Sequence, residues 1–391
     1  MKAVVLGLGV SGIAAGEFLQ RRGYEVVGVD QNPKGGLSFP TATDYKTPCD
    51  LLVLSPGIPL THPICRLAKE VIGEAELACR FMKQKALAIT GTNGKTTVTS
   101  LVAHVLNSSG VPALAAGNIG LPLTAAVDTY PNHLLVVELS SYQLETLSSQ
   151  VFDGGAILNI TPDHLDRYKT MEPYAAAKCR LFRCLKPEAP LFIEEKTLKQ
   201  WAALCDPKKA VSYSGANFEE ENTQAAYLLC QLFGLTKDLF FAASKSFQKP
   251  AHRMEFVSEI EGISYYNDSK GTNIDATVRA VESIACPIHL IAGGVDKGAS
   301  YAPWVSAFKN KVAAVYTIGQ ASEKIHADLG ENYPIHACES LQIAFNKATL
   351  SARKGEAVLL SPGCSSFDMF KNYEERGNCF KQLVFEKGEA E

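Results

Sequence analysis

The stretch Gly91-Thr92-Asn93-Gly94-Lys95-Thr96-Thr97 decides how this chain is read. It follows the short apolar run Ala86–Thr90 and precedes a helical pattern over Thr96–Asn107 that stops before Gly110. A glycine loop between a strand and a helix start suits a phosphate. Backbone N–H groups and the positive end of the helix face the anion, a lysine adds a point charge, and a threonine hydroxyl can join Mg2+. The longer G-x-x-x-x-G-K-[ST] pattern is not met, because Ile89 stands where its first glycine belongs. The fit is to a shorter G-T-N-G-K-T variant, with an ordinary glycine turn as the bland alternative. An α/β nucleotide-binding unit is therefore expected here.

Around this loop lie 391 residues with 38 Lys+Arg against 41 Asp+Glu, a formal charge of −3. That length suggests two or three domains. With no basic excess, a nucleic-acid backbone is excluded as a partner, while small anions, which need only local cations, are not. No apolar run approaches the roughly 20 residues that span a bilayer, so no membrane partner is expected. Met1–Asp30 holds a strand, a glycine turn and a helix pattern rather than a signal peptide, so the expected location is cytoplasmic. The 11 cysteines include no C-x-x-C pair and read as reduced, mostly buried thiols, with neither disulfides nor a zinc site.

Three segments read as glycine-loop α/β units: residues 1–84, 85–248 and 249–391. The first opens with strand Ala3–Leu6, the turn Gly7-Leu8-Gly9-Val10-Ser11-Gly12, a helix through Arg21 and a strand Tyr24–Val29 ending at Asp30. This matches the dinucleotide fingerprint, although such a turn can cradle any diphosphate. Strand Leu51–Leu54 runs into Ser55-Pro56-Gly57, and Val358–Leu360 runs likewise into Ser361-Pro362-Gly363, which predicts one strand-to-loop geometry used twice. In the middle segment, Glu138 closes the apolar run Leu134–Val137, where a carboxylate can hold Mg2+ or simply face solvent. Ala156–Thr161 is a further strand candidate. It leads into Asn159-Ile160-Thr161-Pro162-Asp163-His164-Leu165-Asp166, with a histidine and two aspartates after it. Met171–Leu185 looks helical, and by pattern alone its Lys178 is a snorkelling surface lysine. The third segment carries three polar loops after strands: Asn267–Asn273, Gly293–Gly298 and Ser361–Asp368. An open α/β sheet places ligands at such loops, and Lys270 and Lys297 would meet carboxylate or phosphate there.

Together these motifs resemble the ATP-dependent Mur ligases of peptidoglycan synthesis, from Gly7 to Gly377. The family-wide marks are Gly91–Thr97, Gly117-Asn118-Ile119-Gly120, Glu138-Leu139-Ser140-Ser141, Asn159–Asp166 and His252-Arg253. The first-segment turn with Ser55-Pro56-Gly57, Asn267–Asn273 and the run SPGCSSFDMFKNYEERG over Ser361–Gly377 are similar to the D-glutamate-adding branch. The resemblance implies a Rossmann-like first domain for a UDP-sugar, a central P-loop ATPase domain, and a Rossmann-like C-terminal domain for the incoming amino acid. It implies a cytoplasmic monomer that joins D-glutamate to UDP-N-acetylmuramoyl-L-alanine through an acyl phosphate, using ATP and two Mg2+ ions.

By the same resemblance, Lys95, Glu138, His164 and Lys178 are catalytic. Thr96 and Glu138 would hold one Mg2+; His164 and a carbamylated Lys178 would hold the other. ATP would meet Gly91 to Thr97, Asn222, Arg253 and Asp268. Val10, Ser11, Asp30, Ser55, Pro56, Gly57 and Asn118 would surround the UDP-substrate. Lys297, Thr272, Ser366 and Tyr373 would receive D-glutamate, with Lys270 nearby. Three departures stand out. The family's His-Asn before Asn222 is replaced by Phe218-Glu219, Tyr373 stands where phenylalanine is usual, and the central segment is short between Leu185 and Asn222. Competing readings are a folylpolyglutamate synthetase, a nicotinamide or flavin oxidoreductase drawn from the Gly7–Gly12 fingerprint, and a non-catalytic nucleotide sensor.

Overall fold

A computed structural model describes residues 1–33 and 35–389, so the last two residues of the third expected segment lie outside it. The α/β class appears as three sheets. The first contains β1 (Lys2–Leu6), β2 (Glu25–Val29), β3 (Thr41–Ala42), β4 (Cys49–Leu54) and β5 (Ala68–Gly73), in the order β3-β2-β1-β4-β5. The second contains β6 (Ala86–Thr90), β7 (Ala113–Gly117), β8 (Leu134–Glu138), β9 (Gly154–Ile157), β10 (Leu191–Glu194) and β11 (Ala210–Tyr213), in the order β11-β10-β9-β6-β8-β7. Both are parallel throughout. The third has β12 (Glu255–Ile260), β13 (Ile263–Asn267), β14 (Ile288–Gly293), β15 (Val312–Ile318), β16 (Ile335–Ala337) and β17 (Ala357–Leu360), in the order β12-β13-β17-β14-β15-β16. Only its β12–β13 hairpin is antiparallel.

Strands covered on both faces read as unbroken apolar runs. β6, β8 and β17 are buried at every position. The helix Lys95–Ser108 packs Val98, Leu101, Val102, Val105 and Leu106 into the core that holds Leu87 and Ile89 of β6. Each such side chain contributes on the order of 1.5–3 kcal/mol when fully buried. The order of each parallel sheet reverses at its first strand: β1 lies between β2 and β4, and β6 lies between β9 and β8. Loops leaving a strand at such a reversal open into a crevice. Those two loops are the Gly7 turn and the Gly91 loop.

Packing divides the described chain into two compact units, Met1–Ile160 with Glu172–Gln248, and Thr161–Met171 with Lys249–Glu391. The first unit contains both parallel sheets, which side chains from the first sheet's segment lock together. Arg22 Nη2 meets Asp128 Oδ1 at 2.6 Å, and Glu74 Oε1 accepts the backbone N–H and the hydroxyl of Thr124 at 2.6 and 2.7 Å. Glu76 accepts from the backbones of Ser148 and Ser149. Thr161–Met171 follows the third sheet because Asp166 N–H donates to the Lys297 carbonyl and Thr161 to Asp275.

Several expected boundaries move. The helix over Met171–Leu185 breaks into Met171–Cys179 and Leu181–Cys184. The strand expected over Ala156–Thr161 is β9, which ends at Ile157, so Asn159 lies in the following loop. All eleven cysteines are free thiols, seven of them buried.

The two Ser-Pro-Gly loops share a serine that bonds to the loop after the neighbouring strand, but their backbones differ, with Gly363 at φ +64° and Gly57 outside the left-handed region. Ser55, just beyond β4, donates its hydroxyl to the Gly7 carbonyl after neighbouring β1 (2.7 Å). Ser361, just beyond β17, donates to Asp268 Oδ2 after neighbouring β13 (2.8 Å). Gly7 has φ +87°, and a Cβ at Gly12 would overlap the Gly7 carbonyl oxygen, so helix Val10–Arg21 can start here only on glycine. Gly12→Ala is expected to cost about 1–3 kcal/mol, the usual range for overpacking against backbone. A thermal melt checks it, and a melting temperature at the wild-type value would refute the close approach.

Candidate active site

The nucleotide loop is shaped by glycine and by Asn159. Gly91 (φ +155°) and Gly94 (φ +86°) occupy backbone that L side chains rarely adopt. A Cβ on Gly94 would run into Asn222 Oδ1, and one on Gly91 would come within 3.0 Å of Leu158 Cβ. Asn222, on helix Phe218–Gln231, is therefore packed against the loop despite the missing His-Asn. Asn159 clamps the loop from the β9 side. Its Oδ1 accepts from Asn93 N–H at 2.8 Å, its Nδ2 donates to the Asn93 carbonyl at 3.0 Å, and its own carbonyl accepts from Thr92 N–H at 2.8 Å. The Thr92 and Asn93 N–H groups are thus engaged. Gly94 to Thr97 form the first turn of the helix, whose N–H groups point out of its positive end.

Two lysines converge on one carbonyl. Lys95 Nζ donates to the carbonyls of Gly91 (2.9 Å) and Thr92 (2.8 Å). Lys178 Nζ donates to the same Gly91 carbonyl at 2.8 Å and lies 4.6 Å from the Tyr174 ring centroid. The Tyr174 hydroxyl in turn lies 3.1 Å from the Thr92 hydroxyl. Lys178 is 1% exposed, which corrects the surface-lysine reading. The face of the helix that carries Tyr174 and Lys178 turns inward.

Glu138 is also buried, at 1% exposure, rather than solvent-facing. β8 pairs it with Ile89 of β6, two residues before Gly91. Its Oε1 accepts the Asn118 side-chain amide at 2.8 Å, while its Oε2 is buried with no hydrogen-bond partner. A buried carboxylate oxygen left open is costly unless a cation meets it. Thr96, 4% exposed, opens the helix after the loop. Oxygen donors of this kind fit Mg2+, which takes one or two protein oxygens and fills its shell with phosphate and water. Among the described residues no three His, Cys, Asp or Glu side chains gather as a denser metal site.

In the first sheet, Val10 is 68% exposed at the start of its helix, with Ser11 beside it, and Ser55, Pro56 and Gly57 form the neighbouring loop. Asp30 holds the turn itself: Oδ2 accepts from Leu8 N–H at 2.6 Å and Oδ1 from Asn32 N–H at 2.9 Å.

The second unit gathers the residues expected to meet the amino acid. Lys297 Nζ pairs with Asp163 Oδ1 at 3.0 Å and reaches the Thr272 hydroxyl at 3.3 Å. Asn273 donates to Asp163 Oδ2 at 3.3 Å, and His164 Nε2 lies 3.6 Å from that oxygen. His164 adopts φ +55°, ψ +30°. It belongs to this unit and Lys178 to the other. Lys270 Nζ sits 5.1 Å from the Tyr373 ring centroid. Ser366 is buried and opens a turn whose Met369 and Phe370 N–H groups return to its carbonyl.

Arg376, inside the Ser361–Gly377 run but given no role there, is fully buried and joins two of the polar loops. It donates to the Ser269 hydroxyl (3.0 Å), the Ser269 carbonyl (2.8 Å) and the Cys364 carbonyl (3.2 Å from Nη2). Burial lowers its pKa to about 10, so it stays charged at neutral pH. Burial raises the Asp268 carboxyl to about 6, against the opposing pull of the Ser361 hydroxyl and the Arg253 charge. Arg253 stands between His252 (φ +62°) and Met254 (φ +44°), whose N–H donates to Asp268 Oδ1 at 3.2 Å. Sequence reasoning missed the contacts of Asn159, Asp163 and Tyr174 as well as Arg376. Asn159, Asp163 and Arg376 lay in stretches already marked as functional, and Tyr174 did not.

Two family descriptions match the chain: "Mur ligase middle domain" over residues 89–255, and "Mur ligase, glutamate ligase domain" over residues 252–364. A protein of Protochlamydia amoebophila named UDP-N-acetylmuramoylalanine–D-glutamate ligase is 45% identical over 98% of this chain and 97% of its own length. One of the same name from Caldanaerobacter subterraneus is 39% identical, covering 98% of each chain. The first alignment spans 433 positions against 391 residues here, so that relative carries segments this chain lacks. Among solved structures, UDP-N-acetylmuramate-alanine ligase MurC from Thermotoga maritima shares the fold, with a TM-score of 0.64 at 15% identity over all of both chains. MurF ligase from the same organism, solved in complex with ADP, gives 0.63 at 13% identity, over 86% of this chain and 89% of its own.

The Asp268 shift predicts a pH dependence. With a folded-state pKa of about 6 against 3.8 unfolded, the native state holds this proton more tightly. Stability from this group is greatest below pH 3.8 and is lost as pH rises to about 6, by roughly 3 kcal/mol. Asp268→Asn has no such loss. Denaturant unfolding of both proteins at pH 4 and pH 7 should show the variant gaining on wild type at the higher pH. Parallel behaviour would mean that Asp268 titrates normally.

Proposed function

The chain belongs to the Mur ligase family, and on that premise we propose that it is the ATP-dependent ligase that joins D-glutamate to UDP-N-acetylmuramoyl-L-alanine in peptidoglycan precursor synthesis. The observation that carries this is the 45% identity, end to end, with a ligase of that name. The fingerprint turn after β1 therefore serves a UDP-sugar rather than a nicotinamide, and the oxidoreductase reading falls away. No helix among the described residues is long and apolar enough to cross a membrane.

A carboxylate is a poor acyl donor. The alanyl carboxylate first attacks the γ-phosphorus of ATP and expels ADP, forming an acyl phosphate. The D-glutamate amine then attacks the acyl carbon, and the tetrahedral intermediate collapses with loss of phosphate and a proton. Both steps bring anions together and depend on local positive charge. Lys95 supplies it at the helix start. Its ammonium now rests on the Gly91 and Thr92 carbonyls, from which it can turn to a phosphate oxygen. Gly91 to Thr97 and Asn222 are assigned to ATP in the first unit, and Arg253 and Asp268 in the second. Mg2+, when bound, would screen the phosphate charges, with Thr96 and Glu138 as its protein oxygens for one ion. His164 and Lys178 are assigned to a second ion. Lys178 would serve as a carbamate, because an ammonium cannot be a ligand and an anionic oxygen suits a hard cation.

Val10, Ser11, Asp30, Ser55, Pro56 and Gly57 are assigned to the UDP-substrate, with Asp30 acting through the turn it holds. Lys297, Thr272, Ser366 and Tyr373, with Lys270 nearby, are assigned to the D-glutamate carboxylates. Lys297 meets a carboxylate already in Asp163 and so is oriented before the substrate arrives.

The defining experiment is ADP release. ADP should form only with both UDP-N-acetylmuramoyl-L-alanine and D-glutamate present. Equal turnover with L-lysine or meso-diaminopimelate would move the chain to another branch of the family. Lys297→Ala should raise the apparent KM for D-glutamate by at least tenfold and leave that for ATP near wild type. This ratio follows from losing one charged hydrogen bond, about 1.5–3 kcal/mol. An effect confined to ATP would show that the third sheet's loops are misassigned.

A further inference from the structure

Glu138 has two unequal oxygens. Oε1 accepts the Asn118 amide at 2.8 Å; Oε2 is buried and has no hydrogen-bond partner. The two residues are held in register by more than this bond. β7 pairs Gly117 with Glu138, and Asn118 N–H donates to the Glu138 carbonyl at 2.9 Å. A Cβ on Gly117 would overlap that same carbonyl oxygen, so the turn that presents Asn118 follows the Glu138 backbone closely. Asn118 itself is exposed, while Glu138 is 1% exposed.

A carboxylate on a strand end can rotate about its last bond. Without a donor on one side, either oxygen could face a cation, at any angle. The Asn118 amide removes that freedom, since its nitrogen is the atom able to donate to Oε1 and it leaves Oε2 as the free ligand. Resting on the reading of Glu138 as a Mg2+ ligand, we propose that Asn118 is a positioning residue for the metal and acts through Glu138. Its assignment among the UDP-substrate contacts is then secondary. The bond couples the turn after β7 to the metal ligand at the end of β8, so the two respond to one another.

Mn2+ replaces Mg2+ as the probe, titrated by electron paramagnetic resonance in the presence of ADP. Wild type, Glu138→Gln, Asn118→Ala and the near-isosteric Asn118→Leu are compared, each checked for wild-type circular dichroism and melting. Binding of UDP-N-acetylmuramoyl-L-alanine is measured separately in EDTA by calorimetry. Both Asn118 variants should weaken Mn2+ by about tenfold, the lower end for loss of a partner to a metal ligand. UDP-substrate affinity in EDTA, where the metal term is absent, reads any direct contact of Asn118 with that substrate separately from its effect on Mn2+. Weakened Mn2+ in Glu138→Gln but not in the Asn118 variants overturns the positioning role alone. Unchanged Mn2+ in Glu138→Gln overturns the metal-ligand reading beneath it. Loss of UDP-substrate affinity in EDTA with Mn2+ binding intact returns Asn118 to the sugar site.

Discussion

Two missing Cβ atoms at the end of β6 set the chemistry of the first unit. At Gly94 a side chain would collide with Asn222, and at Gly91 it would press on Leu158, so only glycine lets the loop turn between β9 and the helix Lys95–Ser108. The positive φ at both positions adds a backbone reason to the steric one. Once the loop takes this path, its Gly91 carbonyl points to where Lys95 and Lys178 can both donate. Asn159 holds the adjacent peptides in place from the other side. The N–H groups of Gly94 to Thr97 then stand at the positive end of the helix, where an anion is favoured. Glu138 reaches the same region because β8 is the strand next to β6 in the sheet.

The central strands were legible because burial on both faces forces unbroken apolar runs: Ala86–Thr90, Val312–Ile318 and Ala357–Leu360 match their strands to the residue. Strands that break that rule were not. β5 carries Lys69 and Glu70 on its outer half, and β7 reads Ala-Leu-Ala-Ala-Gly, with little β preference. Leu158 and Ile160 prolong the apolar pattern of β9 by letter alone, which hid a loop whose Asn159 is a principal support of the site. The ligand loops were readable for a different reason, since glycine spacing and strand ends report backbone geometry. Partnerships were not. Asp163 with Lys297, Asn118 with Glu138 and Arg376 with Ser269 join residues 20 to 134 positions apart, and no local spacing encodes them.

Lys178 shows how a local pattern can mislead. A helix reading Tyr-Ala-Ala-Ala-Lys has low amphipathic contrast, so periodicity does not say which face is inside. Burying an ammonium is costly, and the default is to place it outside. Here the Gly91 carbonyl and the Tyr174 ring offset part of that cost, which makes the buried position tenable before any modification.

Arg376 applies the same physics in the second unit. Its guanidinium is fully buried, yet its hydrogen bonds go to a hydroxyl and to carbonyls rather than to a carboxylate. A carboxylate partner would cancel its charge. Neutral oxygen dipoles solvate the cation and leave its field acting on the loops it joins, Asn267–Asn273 and Ser361–Asp368. Those loops carry Lys270, Thr272 and Ser366, the groups assigned to D-glutamate. Whole-chain charge is blind to this arrangement. A net −3 can coexist with local positive fields because buried cations bonded to neutral acceptors project charge while surface carboxylates are screened by solvent. The Lys297–Asp163 pair follows the opposite rule, with a cation held by an anion. A lysine held this way projects little net charge, but its ammonium is fixed in direction.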